Sequence, residues 1–269
     1  MGQDLQFRQL RSLPEMNEVE QLQETIWGYG RSAGSPFPYP ARCLFEFSES
    51  GGHVGGAFIP KHGIIGFSAA WIGREAPHHR LYLHSQLVGV VDSYRNMGVG
   101  YGLKQLQRAY ALSVGISTIK WTFDPLQLRN ASLNLRKLRA EAKTFVPNYF
   151  GALGGKQNAG FATDRLWVTW DIERTNTTPV NLDITSLQTA TILPDDLTAR
   201  RCTLDLSLED SHIVIYIPSN IPEIRTASPD LFQYWQLQLR SVLSHYLPQY
   251  SVTHAVSLGE RFAYALTRQ

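Results

Sequence analysis

Residues 94–104, YRNMGVGYGLK, place three glycines within five positions behind an arginine, at the end of an apolar run. Bare backbone at such a junction makes either a tight strand-to-helix turn or a loop whose N–H groups close on an anion. Three anion-binding patterns compete. A Walker loop ends in Gly-Lys followed by Ser or Thr, whereas here Lys104 follows Leu103 and Gln105 follows it. A dinucleotide fingerprint read from Gly98 and Gly100 meets Leu103 where its third glycine belongs. The pattern [RQ]xxGx[GA] is met throughout by Arg95-Asn96-Met97-Gly98-Val99-Gly100. Such a loop gathers successive N–H groups into one concavity and aims the positive end of the next helix at it, which makes a pyrophosphate cradle. Glycine at 98 and 100 removes the Cβ atoms that would hold a phosphate away. A turn that binds nothing stays open as the alternative.

The elements around the loop must position it. LQFRQL (5–10) alternates as a strand, and MNEVEQLQETIWGYG has helical spacing at Val19, Leu22 and Ile26, with Gly28 as its stop. GSPFPYPA (34–41) reads as a loop and RCLFEF as a short apolar piece. Two apolar runs around PKHG form a hairpin, and LYLHSQLVGVV (81–91) is a strong strand leading into the glycines. The helix beyond carries Leu103, Leu106, Tyr110 and Val114 on one face, with Gly115 ending it. STIKWTF alternates, and Asp124-Pro125 reads as the N-cap and first turn of LQLRNASLNLRKLR, whose stripe is Leu128, Ala131, Leu135 and Leu138. RLWVTWDI (165–172) is a further strand. Strand, glycine loop, helix and strand in this order predict a right-handed parallel crossover. With the hairpins, the fold class is α/β (α+β): a mixed, mostly antiparallel sheet with a central parallel strand–helix–strand crossover.

Composition shifts after Asp171. Residues 1–172 read as one domain and the Thr-, Asn- and Pro-rich residues 173–198 as a linker. Residues 199–269 read as a small C-terminal α/β extension packed on the first domain. Its expected parts are strands in RRCTLDLSLED, SHIVIYIP, SVTHAVSL and RFAYALT, and a helix in PDLFQYWQLQLRSVLSHYL.

The chain has 269 residues, 43% hydrophobic and 18% charged, with a net charge of +2. Without a run of like charges, nucleic-acid binding is not expected. Cys43 and Cys202 are far apart and form no disulfide framework, which predicts a reducing, cytoplasmic setting. No stretch approaches the ~18 apolar residues of a spanning helix, and the start lacks the apolar segment of a signal peptide. The expectation is therefore a soluble protein with no membrane partner.

The order of hairpin, LYLHSQLVGVV, RNMGVG, helix, strand and then a helix carrying Asn130 resembles the GCN5-related N-acyltransferase (GNAT) superfamily. HSQLVGVVDSYRNMGVGYGLK, WTFDPLQLRNASLNL, FVPNYFG and the tail segment IYIPSN…SPDLFQYWQLQLR resemble a subgroup of predicted acetyltransferases with a C-terminal extension. The superfamily resemblance spans roughly residues 5–172 and the subgroup resemblance nearly the whole chain. It implies an acyl-CoA cosubstrate, acetyl-CoA or another acyl-CoA such as succinyl-CoA, and no metal. The loop from Arg95 through Asn96, Met97, Gly98, Val99 and Gly100 to Tyr101 would hold the pyrophosphate. The main chain at Val88 to Val90 would pair with the pantetheine arm where its strand splays from WTF, and Asn130 would hydrogen-bond that arm. The implied activity is N-acyl transfer to a small amine or amino acid by direct attack in a ternary complex. A homodimer fits the same picture.

Direct attack needs a neutral amine, a polarised carbonyl and a protonated leaving thiol. His84 stands on the strand eleven residues before Arg95, where the superfamily often carries its base, and imidazole titrates near neutrality. Gln86 shares its face and can only hydrogen-bond. A tyrosine often donates the thiol's proton in the superfamily, but Leu135 occupies that place; Ser132 and Tyr149 are the substitutes, with solvent water as a third source. The bland alternatives are a strand histidine at 84 and a packed aromatic at 149. Adjacent His78 and His79 do not make a metal pair, and Arg129, Arg136, Lys137 and Arg139 read as a solvated helix face that could reach the CoA 3′-phosphate. Trp235 and Arg240 read as core and ion-pair residues. The missing tyrosine leaves a rival of another class, a CoA-binding sensor or scaffold without catalysis.

Overall fold

The computed structural model describes residues 5–28, 39–151, 160–174, 183–192 and 201–269. Most of the expected 34–41 loop and much of the expected linker lie outside the described residues. Contacts divide the chain into two compact units. The first runs to Trp121 and takes in Asp171–Arg174; the second holds Thr122–Gly151, Phe161–Trp170 and the chain from Thr175 onward.

In the first unit β1 (Gln6–Gln9) leads into α1 (Leu13–Trp27), α2 (Ala41–Glu49), β2 (His53–Ile59), β3 (Gly63–Arg74) and β4 (Leu81–Val90), then α3 (Val99–Ser113) and β5 (Thr118–Phe123), whose last two residues are counted in the second unit. Helix α1 begins on a reciprocal cap: the Ser12 hydroxyl accepts from the Glu15 N–H, and the Glu15 carboxylate accepts from the Ser12 N–H. It ends on Gly28, as expected, in the left-handed region at φ 73°. RCLFEF, with no assigned conformation in the sequence, is the body of α2, which buries Ala41 and Leu44. Strands run in the order β1-β2-β3-β4-β5, antiparallel except for β4 with β5, so the expected crossover through α3 is present. One core lies between α1, α2 and the sheet, around Leu10, Met16, Val19, Leu44, Val54 and Phe67. A second lies under α3, around Ala57, Ile59, Ile65, Val99 and Leu103.

The second unit contains α4 (Leu128–Ala131), β6 (Glu141–Val146), β7 (Arg165–Asp171), β8 (Gln188–Thr189), β9 (Thr191–Ile192), β10 (Thr203–Leu204), β11 (His212–Pro218), α5 (Ile221–Ala227), α6 (Pro229–Tyr246), β12 (Tyr250–Leu258) and β13 (Arg261–Arg268). Its sheet runs β7-β6-β12-β13-β11-β8, antiparallel except where β8 joins β11. The segment read as linker thus supplies a strand to that sheet. Asp124 does not open a long helix. Its side chain accepts from the Leu126 N–H at 2.8 Å in a local turn, α4 starts at Leu128, and the chain widens to π-helical geometry over Ser132–Lys137. Helix α6 buries Trp235 completely, and Arg240 grips Asp164 with two bonds of 3.0 and 2.8 Å, which are the expected core and ion-pair roles.

Candidate active site

After β4 the chain makes one tight turn (Asp92–Tyr94), then passes through Arg95 in extended backbone to the glycines. Asn96 (φ 65°) and Gly98 (φ 82°) are left-handed, and Gly98 is the N-cap of α3. No side chain caps this helix, so its first N–H groups have no side-chain acceptor. A Cβ on Gly98 would meet nothing within 4 Å, so glycine is there for its conformation. Gly102 differs: a Cβ on it would fall 2.2 Å from Phe7 Cζ, so glycine is there to let β1 pack on the helix. Gly100, in the first turn between them, has no left-handed backbone to account for it. Met97 and Tyr101 flank the loop and are exposed. Arg95 is paired with Asp92 at 2.5 Å.

Strand β4 pairs with β5 only at Leu83–Ile119 and His84–Lys120. Beyond that rung β4 continues to Val90 on β3 alone, with Val88 opposite Ser68 and Val90 opposite Gly66. The two parallel strands fork, and among the described residues the β4 edge from Gln86 to Val90 has no strand paired with it on the β5 side, leading to the glycine loop. At the fork β4 bulges: Ser85 faces Ala70 and Leu87 faces Ala69, so Gln86 has no partner on β3.

The bulge sets the side chains. His84 Nε2 lies 2.8 Å from Gln86 Oε1, while Nδ1 is buried and has no hydrogen-bond partner among the described residues. The ring packs on Trp71 (centroids 4.9 Å apart) and edge-on to Tyr82 (6.2 Å). Burial holds the His84 pKa below its ordinary value; the bond to Gln86 pushes the other way, and the positive charge of Lys104 adds to the lowering. This lowering favours the neutral imidazole, the form a base requires. Lys120, its partner across the last rung, bonds Glu75 at 2.6 Å, and that bond holds the Glu75 carboxyl below the usual range.

Leu103 faces the core as the sequence predicts and Leu106 and Tyr110 are half-buried, but the buried face of α3 turns further than expected, to Val99, Lys104, Gln107 and Ala111, while Val114 is exposed. Lys104 Nζ donates to Ser85 Oγ at 2.8 Å and lies 3.5 Å from the centroid of Trp121. Ser85 in turn donates to Gln107 Oε1 at 2.8 Å. Ser85 and Gln107 were not singled out in the sequence, and Lys104 was weighed there only as the lysine of a Walker loop. Their only signal is the i, i+3, i+7 spacing of 104, 107 and 111, which polar side chains disguise.

The other expected site residues lie in the second unit. Asn130 is exposed on α4, and Ser132 is half-buried where the π-helical stretch begins. Tyr149 is an exposed aromatic, edge-on to Phe150 at 4.6 Å and near Trp167 at 6.0 Å. Leu135 is buried. Arg129, Arg136, Lys137 and Arg139 are exposed, the expected solvated face. Among the described residues no group of His, Cys, Asp and Glu is placed to hold a metal ion, and no helix is long and apolar enough to cross a membrane.

No protein-family model matches the chain, and no curated protein matches its sequence. Solved structures do match. A predicted acetyltransferase from Acinetobacter baylyi superposes with a TM-score of 0.50 at 14% identity, over 67% of this chain and 97% of its own. An N-acetyltransferase from Staphylococcus aureus gives 0.49 at 14% identity, over 63% and 99%. A predicted acetyltransferase from Salmonella typhimurium, solved with its cofactor acetyl-CoA, gives 0.49 at 11% identity, over 66% and 99%. The likeness at these identities is one of fold. The chain has a GNAT-like fold, a mixed sheet with the parallel crossover through α3.

Proposed function

We propose that the protein is an acyl-CoA-dependent N-acyltransferase that transfers an acyl group to a small amine or amino acid by direct attack in a ternary complex. The observation that carries this reading is the fork: an open β4 edge that runs from Gln86 to Val90 and ends at an uncapped, glycine-bearing helix N-terminus. A pyrophosphate accepts from the N–H groups of Val99, Gly100 and Tyr101, with Arg95, Asn96, Met97 and Gly98 shaping the loop. The amides of a pantetheine arm substitute for the missing β5 partner at Val88 to Val90.

The amine nitrogen attacks the thioester carbonyl carbon; the C–N bond forms, the C–S bond breaks, and CoA leaves as its thiolate. His84, held by Gln86, accepts the proton the amine loses. A second proton must reach the thiolate. Ser132, Tyr149 and solvent are its candidate sources, and their part, like that of Asn130, rests on the sequence pattern alone.

The test is a thermal shift with acetyl-CoA, succinyl-CoA, free CoA, ATP and NAD, beside Gly100→Glu. CoA species alone should stabilise the protein, by an amount that grows with ligand over Kd, and the variant should lose the effect. No shift with any CoA species refutes the cradle. Donor binding without CoA release across a pool of amines would instead identify a sensor.

A further inference from the structure

The fork between β4 and β5 ends, on the α3 side of the sheet, in a cluster with more hydrogen-bond donors than acceptors. Lys104 is 3% exposed, and among the described residues it makes no ion pair with a carboxylate. Its amine donates to Ser85 Oγ and otherwise faces the Trp121 ring. Ser85 spends its own proton on Gln107 Oε1. The Gln107 amide nitrogen, in a side chain with no exposed surface, has no hydrogen-bond partner among the described residues. Buried amines and amides are ordinarily satisfied, and leaving them unpaired is costly. What this cluster lacks is acceptor oxygen and negative charge.

Its position is as informative as its chemistry. Ser85 directly follows the last paired rung on β4, and Trp121 directly follows it on β5. Lys104 therefore bridges the two strands where they part. On the acyl-CoA reading proposed above, on which this inference rests, the arm runs along β4 from Val90 back to Gln86. That span is about 13 Å at ~3.3 Å per residue, and it brings the thioester to the fork. Pairing of the strands closes the way ahead, so the acyl group must turn to one face of the sheet. His84 and Trp71 occupy one face; Ser85, Lys104 and Gln107 occupy the other.

We infer that Ser85, Lys104 and Gln107 receive the far end of the transferred acyl group and that this end is a carboxylate, so that the donor is a short dicarboxylic acyl-CoA. The two carboxylate oxygens supply the acceptors that Lys104 and Gln107 lack, and the charge compensates a cation that burial disfavours. A methyl-ended acyl group of the same length leaves the Gln107 amide unpaired and Lys104 with Ser85 Oγ as its one acceptor. The amine acceptor then approaches from the opposite face, where His84 stands.

Succinyl-CoA and butyryl-CoA test this, since their acyl chains have the same number of carbons and differ in the terminal group. In calorimetric titration of the full chain, succinyl-CoA should bind about 10- to 100-fold more tightly, the worth of a charge-assisted hydrogen bond. Lys104→Met should bring the ratio of the two affinities close to one. Gln107→Leu should lower it in part, and it carries the test if circular dichroism shows that Lys104→Met does not fold. Equal binding of the two thioesters by the wild type, or an unchanged ratio in the variants, overturns the inference while leaving the acyl-CoA reading intact. Absence of binding by any CoA species overturns both.

Discussion

His53 offers a quantitative test of the fold that carries the site. It lies on β2 with 1% of its surface exposed, stacked on Tyr110 with ring centroids 4.9 Å apart. Neither ring nitrogen has a hydrogen-bond partner, and the Tyr110 hydroxyl is spent on the Gly51 carbonyl at 2.7 Å. Burial, with the positive charge of Arg11 adding to it, lowers the His53 pKa from 6.5 to about 4. In the unfolded chain the imidazole takes up its proton as pH falls through 6.5, while the folded protein resists until about 4. Stability from this residue is therefore full above pH 6.5 and is lost between 6.5 and 4. Below that the loss levels off, because both states are then protonated. At ~1.36 kcal/mol per pH unit the loss approaches about 3.4 kcal/mol, a large part of the ~5–15 kcal/mol that holds a typical domain. His53→Phe keeps the ring and removes the titration. Urea unfolding of both proteins from pH 7 to 4 should show the wild type losing about 3 kcal/mol more than the variant. Parallel curves would mean that His53 reaches a proton acceptor or solvent, and the burial argument would fail.

The remaining predictions bear on the site and its frame. Once CoA release is measurable, the acid limb of the kcat/KM profile should follow His84, with its midpoint below 6.5, and His84→Ala should abolish that limb; an unchanged profile removes His84 as base. Gly98→Ala should cost about 1 kcal/mol through its left-handed backbone, in otherwise open space. Gly102→Ala should cost about 1–3 kcal/mol by driving a methyl into Phe7, and adding Phe7→Ala should recover part of it; strictly additive unfolding energies would contradict the contact. Arg240→Ala strands the buried Asp164 carboxylate and should lower stability by about 3 kcal/mol, seen as a lower melting temperature, with less loss in Arg240→Met/Asp164→Asn together.

Local patterns in the chain were enough to reveal much of the frame. Alternation marked β4 and β5, a glycine stop marked the end of α1, and the pattern from Arg95 to Gly100 placed a loop between strand and helix, because each is written in residues near one another in sequence. It also marked 84 as a strand position beside Gln86. Where long-range packing chose the outcome, the chain was silent. EAKTFV becomes β6 only because β7 and β12 flank it, and a two-residue strand in the apparent linker exists only because β11 is there to pair with. The helix after β5 shortens to α4 and widens into π geometry although its leucine stripe reads as regular. The roles of the three glycines could not be separated without knowing that Phe7 presses on 102 and nothing presses on 98. The fork is likewise invisible in sequence, since whether two parallel strands stay paired is decided between them. The same holds for Lys104 and Gln107. A lysine and a glutamine on an amphipathic helix read as solvent-facing, and only the docking of α3 across β4 and β5 turns them inward. Burial is a property of the assembled sheet and helix, and it gives these two side chains their chemistry.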